Sequence, residues 1–191
     1  EESKKAYFMS SKDLEGIRLL PEFIAAGIDS LKVEGRNKSH HYAGTISKVY
    51  SEALRFYQEY GHFLSIDMLS WEEELRKISH RDYSTGSLDQ YAGEESIYNQ
   101  REHDDHEFVV SGIVLEALDN EHLLVDVKSA FHPGDVLEVM PFRGKTSALP
   151  VEFLKSLSGV DLVKSKPGSV VKIPFIPGAQ KFNIIRKAVK A

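Results

Sequence analysis

Phe108-Val109-Val110-Ser111-Gly112-Ile113-Val114-Leu115-Glu116-Ala117-Leu118, then Asp119-Asn120, then His122-Leu123-Leu124-Val125-Asp126-Val127: two β-like runs flank a turn signal. Further runs of the same kind follow at Asp135–Val139, Val170–Phe175 and Lys181–Ile185. Turn residues separate them at His132-Pro133-Gly134-Asp135, Lys166-Pro167-Gly168 and Pro177-Gly178. Short strands with regular turns predict a small antiparallel barrel or sandwich from residue 108 onward. No long helix is expected there, although Val151–Leu157 reads either way.

Upstream of this region the pattern changes. Asp82 to His106 holds few large apolar residues and reads as an irregular connector. Between Gly86 and Glu107 it carries seven acids against one base, so it is strongly acidic. From Phe108 onward eleven bases face eight acids, which makes the β region mildly basic. A patch of Lys can bind RNA on a net acidic chain, but a solvated surface explains the same charges.

The first eighty residues alternate strand and helix signals. Ala6–Ser10 reads as a short buried strand, and Ile28–Glu34 as a second one. Arg18–Ala26 between them reads as a helix, with Pro21 in its first turn and Gly27 as its stop. Ser39 is placed to cap a long helix whose apolar positions Tyr42, Ile46, Val49, Ala53 and Tyr57 recur every three or four residues, with Gly61 at its end. Trp71, Leu75 and Ile78 mark one face of a third helix. This order suggests parallel βα units. Two such units do not close a core by themselves, because parallel strands lie within larger sheets covered on both faces. The segment therefore reads as the end of a longer α/β domain. The sequence opens on Glu-Glu-Ser-Lys-Lys with no Met and no apolar leader, and its start reads as a cut.

The 191 residues carry a net charge of −5, with 41% hydrophobic and 28% charged residues, a globular rather than disordered balance. No apolar run approaches the roughly 18 residues of a membrane helix, and no membrane partner is expected. The absence of cysteine excludes disulfides, thiolate metal sites and a cysteine nucleophile within the chain, and fits a cytoplasmic protein.

Several polar groups are candidates for chemistry. In the second expected strand, Lys32 and Glu34 share one face and Leu31 and Val33 the other. Either Lys32 and Glu34 point into a barrel, at the strand end where barrel enzymes place their sites, or they meet water on an edge strand. Arg36 and Lys38 follow in the loop. Ser10-Ser11-Lys12-Asp13 follows the first strand at the equivalent position, where Ser11 or Asp13 also suits a helix cap. Lys12, Asp13, Lys32, Glu34 and Arg36 are thus the candidate polar cluster. Arg81, Tyr83, Thr85 and Gly86 form a second polar group, suited to interdomain packing and turn formation. His40-His41 and His103-x-x-His106 carry no rigid metal-site pattern, and no metal is expected. No Ser-His-Asp set, phosphate loop or dinucleotide fingerprint is present.

The run Phe8-Met9-Ser10-Ser11-Lys12-Asp13-Leu14, then Leu20-Pro21-Glu22 and Ala26-Gly27-Ile28-Asp29-Ser30-Leu31-Lys32-Val33-Glu34-Gly35-Arg36-Asn37-Lys38-Ser39, resembles a family signature close to M-N-S-K-D-L, P-E-L and A-G-I-D-S-L-K-I-E-G-R-M-K-S. Arg81-Asp82-Tyr83-Ser84-Thr85-Gly86 resembles the same family's R-x-Y-x-T-G-F, and Phe131-His132-Pro133-Gly134-Asp135-Val136-Leu137-Glu138 its F-x-x-G-D-x-L-E. The family is peptidase family U32, the collagenase-like peptidases. Ser10 stands in place of a common Asn, Glu15 in place of a common Cys, and Ser87 in place of the Phe after Thr-Gly.

The resemblance implies the last two βα units of a TIM-like barrel over residues 1–80, a connector over 81–107, and a C-terminal antiparallel β-barrel domain over 108–191. It implies a parent protein acting in hydroxylation of tRNA or rRNA, with the β domain holding RNA or a partner. A peptidase acting on collagen-like or other polypeptides and a non-catalytic interaction module are the alternatives. The expected partners are an RNA or polypeptide substrate and the remainder of the barrel. This chain alone is expected to be inactive and to hold no cofactor. Some relatives place an iron–sulfur cluster in a cysteine-bearing region that the resemblance puts upstream of Glu1.

Overall fold

The computed structural model describes residues 11–35, 38–98, 107–118 and 121–189. The chain divides into two compact units, residues 1–106 and 107–191.

In the first unit, a 3-10 turn at Ile17–Leu19 leads into α1 (Leu20–Ala25). Pro21 lies in the first turn of α1, where a missing N–H breaks no helical hydrogen bond. The long helix α2 (His40–Tyr60) begins as its sequence specifies: the Ser39 hydroxyl accepts the Tyr42 backbone N–H at 3.1 Å. It ends at Gly61, whose left-handed φ of 73° suits a residue without Cβ. Helix α3 (Ser65–Arg76) starts before the expected Trp71 and stops short of Ile78. Tyr42, Ile46, Val49 and Ala53 of α2 pack with Met68, Trp71 and Leu75 of α3, and with Ile17, Leu20 and Ile78. Phe56, Phe63 and Trp71 meet edge to face or tilted, with ring centroids 5.3–6.5 Å apart.

The expected strand at Ile28–Glu34 is not formed. Ile28, Leu31 and Val33 are exposed, and no described residue pairs with them in a ladder. A parallel strand needs neighbours for its N–H and C=O groups and cover for its faces; without them its period-two pattern has nothing to pack against. The other expected strand, Ala6–Ser10, lies outside the described residues. The strands that do form are shorter: β1 (Asp13–Leu14) pairs in parallel with β2 (Tyr83–Ser84), Asp13 opposite Tyr83.

The second unit is one antiparallel sheet. Its strands are β3 (Phe108–Leu118), β4 (His122–Val127), β5 (Val136–Met140), β6 (Ser147–Pro150), β7 (Lys155–Ser156), β8 (Val170–Pro174) and β9 (Ile184–Ala188). Their order is β6-β5-β9-β3-β4-β8-β7. Strict alternation sends Leu123, Val125 and Val127 of β4, with Val171 and Ile173 of β8, into the core. Val151 and Leu154 join them there, so the ambiguous run Val151–Leu157 is a loop ending in β7 rather than a helix. The sheet curls as a half-barrel and is not a closed barrel. Its two edges, β6 and β7, have four and two residues, too short to complete the ring.

The curl is built into β3. Its register shifts between Val110 and Gly112 against β9, and between Val114 and Glu116 against β4, and such bulges bend the strand and increase its twist. At Gly112 the neighbouring strand comes so close that an added Cβ would lie 2.8 Å from the Asp126 carbonyl oxygen and collide with a Val125 methyl. Gly112→Ala is expected to destabilise the second unit by about 1–3 kcal/mol. Urea unfolding followed by far-UV circular dichroism reads this, and a midpoint equal to wild type contradicts it.

Candidate functional site

Asp13 is where three sequence motifs meet. Its Oδ2 accepts the Lys38 ammonium at 3.0 Å and the Arg81 backbone N–H at 3.2 Å. The β1–β2 pairing fixes the carboxylate there: the Asp13 N–H donates to the Asp82 carbonyl, and the Glu15 N–H to the Ser84 carbonyl. Lys38 sits just before α2 and also reaches the Ser79 carbonyl at 3.5 Å. The Ser-Lys-Asp-Leu, Gly-Arg-Asn-Lys-Ser and Arg-Asp-Tyr-Ser segments are thus joined through one side chain.

Beside this node is a cleft of about 490 Å³, lined by Lys12, Asp13, Lys32, Glu34, Lys38, Tyr42 and Tyr50 among others. Four of the five cluster residues expected from sequence therefore line one cleft; the fifth, Arg36, lies outside the described residues. Their pairings differ from those expected. Lys12 lies 3.8 Å from Asp82 rather than against Glu34, and the exposed Glu34 pairs with Lys32 at 3.3 Å. Of the three lysines lining the cleft, Lys38 is held by the partly buried Asp13, whereas Lys12 and Lys32 each have a carboxylate partner that is itself solvated. Such loose pairs exchange readily for an anionic ligand.

The contacts of the second candidate group run within the first unit. Arg81 Nη1 donates to the Ser11 carbonyl at 3.0 Å, and its guanidinium lies over the Tyr98 ring. The Tyr83 hydroxyl donates to the Leu75 carbonyl at 3.0 Å, and its ring stacks on His80. Thr85 accepts the Leu88 N–H, and Gly86 turns with φ 57°. Burial pushes the Tyr83 phenol far up, and the Glu15 carboxylate adds to this, so Tyr83 stays neutral and donates.

Sequence reasoning noted Glu15 only as standing where relatives carry Cys. Burial raises its carboxyl above the ordinary 4.5, and Glu72 raises it further, against smaller opposing effects of Arg76 and Arg18. Glu72 is itself buried and gripped by Arg18 through two hydrogen bonds. A carboxyl raised on folding binds its proton more tightly in the folded state. Its stabilisation is complete below about 4.5 and is lost as pH rises through the folded value. Glu15→Gln, which imitates the protonated form, is expected to raise the unfolding temperature at pH 7 and to gain less at pH 4. Scanning calorimetry at both pH values tests this; a gain independent of pH contradicts it.

In the second unit, the Phe-His-Pro-Gly-Asp turn holds Asp135. Partial burial alone would raise its carboxyl, but the Lys187 ammonium at 2.9 Å and the His132 N–H hold it below the usual range. Phe131 is fully buried, and its backbone exchanges hydrogen bonds with Ser165. These contacts anchor a turn and assemble no nucleophile with a base. Among the described residues no cluster of three or more His, Asp or Glu is disposed to hold a metal. With no cysteine anywhere in the chain, its residues do not fit a thiolate-held iron–sulfur cluster.

The model of peptidase family U32 matches residues 1–98. The chain belongs to peptidase family U32. Within and around that family, it is 30% identical over 190 residues to tRNA hydroxylation protein P1 of Bacillus subtilis, covering 97% of this chain and 44% of that protein. It is 30% identical over 164 residues to tRNA hydroxylation protein P of Escherichia coli, covering 83% of this chain and 34% of that one. A collagenase of Porphyromonas gingivalis is 33% identical over 80 residues, 42% of this chain and 22% of the collagenase. This U32 chain thus spans less than half the length of the curated relatives it matches. A solved C-terminal domain of a U32 protein from Geobacillus thermoleovorans aligns with 42% of this chain and 92% of its own, at 22% identity and TM-score 0.39.

Proposed function

We propose that the protein of which this chain forms part acts in hydroxylation of tRNA in the cytoplasm, with the first unit as the end of a TIM-like barrel and the second as an RNA-binding module. The observation that carries this is the reach of the likeness. The match to the Bacillus subtilis tRNA hydroxylation protein runs through both units, over 97% of the chain, whereas the Porphyromonas gingivalis collagenase match takes in 42%. A likeness that includes the β unit supports a shared use of that unit. The surface chemistry agrees with an anionic polymer as ligand. On the face of the sheet away from the core, Lys155 and Lys172 stand directly opposite each other across β7 and β8, and the exposed Asp161, 3.6 Å from the Lys155 ammonium, offsets their repulsion in a loose ion pair that a phosphate can replace.

The cleft then serves the substrate. Lys12, Asp13, Lys32 and Glu34 form its polar cluster, in which Asp13 positions Lys38 and the Arg81 backbone, and Lys12 and Lys32 meet an anionic group; Arg36, in the same sequence motif as Glu34 and Lys38, is proposed as a further cation for that group. Arg36→Ala in the full-length protein is expected to lower formation of the hydroxylated nucleoside at least tenfold without lowering thermal stability, the loss of one charge-assisted contact being worth about 1.5–3 kcal/mol. Product formation and unfolding temperature are measured on the same preparation. Wild-type product formation removes Arg36 from the site. The peptidase reading, favoured by the collagenase match, predicts instead that the same preparation degrades gelatin and leaves tRNA unchanged.

A further inference from the structure

We infer that one end of the second unit's sheet is a stacking platform for unpaired RNA bases, formed by Phe142 and Phe182. This deepens the tRNA reading above and rests on it. Both rings are exposed, Phe142 at 57% and Phe182 at 62%. They belong to different loops that the sheet brings to one place. Met140 of β5 is paired with Ile184 of β9 in the antiparallel ladder. Phe142 lies two residues beyond Met140, and Phe182 two residues before Ile184, so both leave the sheet at the same end of adjacent strands.

The backbone at Phe182 is the second observation. Its φ is 72°, and it is the one described residue other than glycine with positive φ. A bulky side chain disfavours that conformation, and such strain persists only where the surroundings hold it. Here the Phe182 N–H donates to the Val114 carbonyl at 2.7 Å, and the buried Asn183 accepts the Gln180 N–H at 2.7 Å through Oδ1. The loop is clamped on both sides of a residue whose ring faces solvent, where glycine would fit the backbone better. Strain held for an outward aromatic ring points to a ligand rather than to folding.

The surrounding charge selects the ligand. Lys181 has its ammonium 5.1 Å from the Phe182 ring centroid, and Arg143 and Lys145 follow Phe142 in the β5–β6 loop. Among the described residues none of these three cations has a carboxylate within ion-pair distance. Exposed aromatic faces interleaved with unneutralised cations are the arrangement that takes single-stranded nucleic acid: bases stack on the rings and phosphates meet the cations. A duplex, whose bases are already stacked, gains nothing from the rings.

The test is fluorescence anisotropy of the purified chain with labelled single-stranded oligouridine, and with a labelled RNA duplex of equal length. Phe182→Gly and Phe142→Ala are each expected to weaken single-strand binding about tenfold. Phe182→Gly should leave the unfolding temperature unchanged or raise it, because glycine relieves the left-handed backbone. Val163→Ala, at an 88% exposed residue outside the two platform loops, should bind as wild type. Single-strand binding that survives in both Phe variants overturns the platform and leaves the tRNA reading standing. Binding of duplex as tight as of single strand, or no binding of RNA by the wild-type chain, also overturns it. The tRNA reading stands or falls separately, on nucleoside analysis of the full-length protein's substrate.

Discussion

Asp13→Ala is expected to destabilise the first unit by about 2–3 kcal/mol, because it removes two charge-assisted hydrogen bonds from one partly buried carboxylate. Lys38 loses its ion-pair partner, and the Arg81 N–H loses its acceptor. These bonds join residues 25 and 68 positions apart in sequence, so the loss should loosen the β1–β2 pairing and the entry to α2 together. Asp13→Asn keeps an acceptor for Arg81 and lacks the charge for Lys38, and should cost less. Hydrogen exchange of the Asp13, Glu15 and Tyr42 amides, with chemical denaturation of both variants, reads the effect. Equal stability of Asp13→Ala and wild type, or a larger loss in Asp13→Asn, contradicts the node.

Glu138→Ala carries the largest expected loss, about 3–5 kcal/mol in the second unit. Glu138 lies opposite Arg186 across β5 and β9. Its Oε2 accepts Arg186 Nε at 2.8 Å and Nη2 at 2.7 Å. Arg186 is fully buried, with its guanidinium over the Phe108 ring. Removing the carboxylate takes a close counter-charge from a buried cation, which costs more than the pair contributes over a hydrophobic equivalent. The double substitution Glu138→Leu with Arg186→Met should therefore recover most of the loss. Urea midpoints of the single and double variants decide it: a single variant within about 1 kcal/mol of wild type contradicts the burial argument.

How much of this was legible in the sequence depends on how local each cause is. Helix α2 was legible at both ends because Ser39 and Gly61 act within one turn of themselves. The runs of β4 and β8 were legible because burial alternates along each strand, and β3 and β5 were legible from their β-branched and apolar residues between turn signals. The edge strand β6 was missed: Ala148, Leu149 and Pro150 are exposed, so no burial pattern marks it. Ile28–Glu34 shows the reverse, a strand pattern without a strand, because pairing partners are not written in a strand's own residues. In the site, residue types pointed to the cleft, yet the pairings there depend on β2 and Lys38, which the motifs alone did not connect to Asp13. Arg186 gave no sequence signal at all, since a lone arginine in a strand reads as exposed until its neighbours are known. Phe182 was equally silent: its turn displaces the start of β9 from the expected Lys181 to Ile184.

The activity proposed for the full-length protein is tRNA modification. Its most direct test is mass spectrometry of nucleosides from purified tRNA of a strain lacking the gene, beside the same strain carrying the gene again. One nucleoside is expected to lose an oxygen atom in the lacking strain and to regain it on restoration. An identical nucleoside profile in both strains, with gelatin-degrading activity that appears only when the gene is restored, would contradict it.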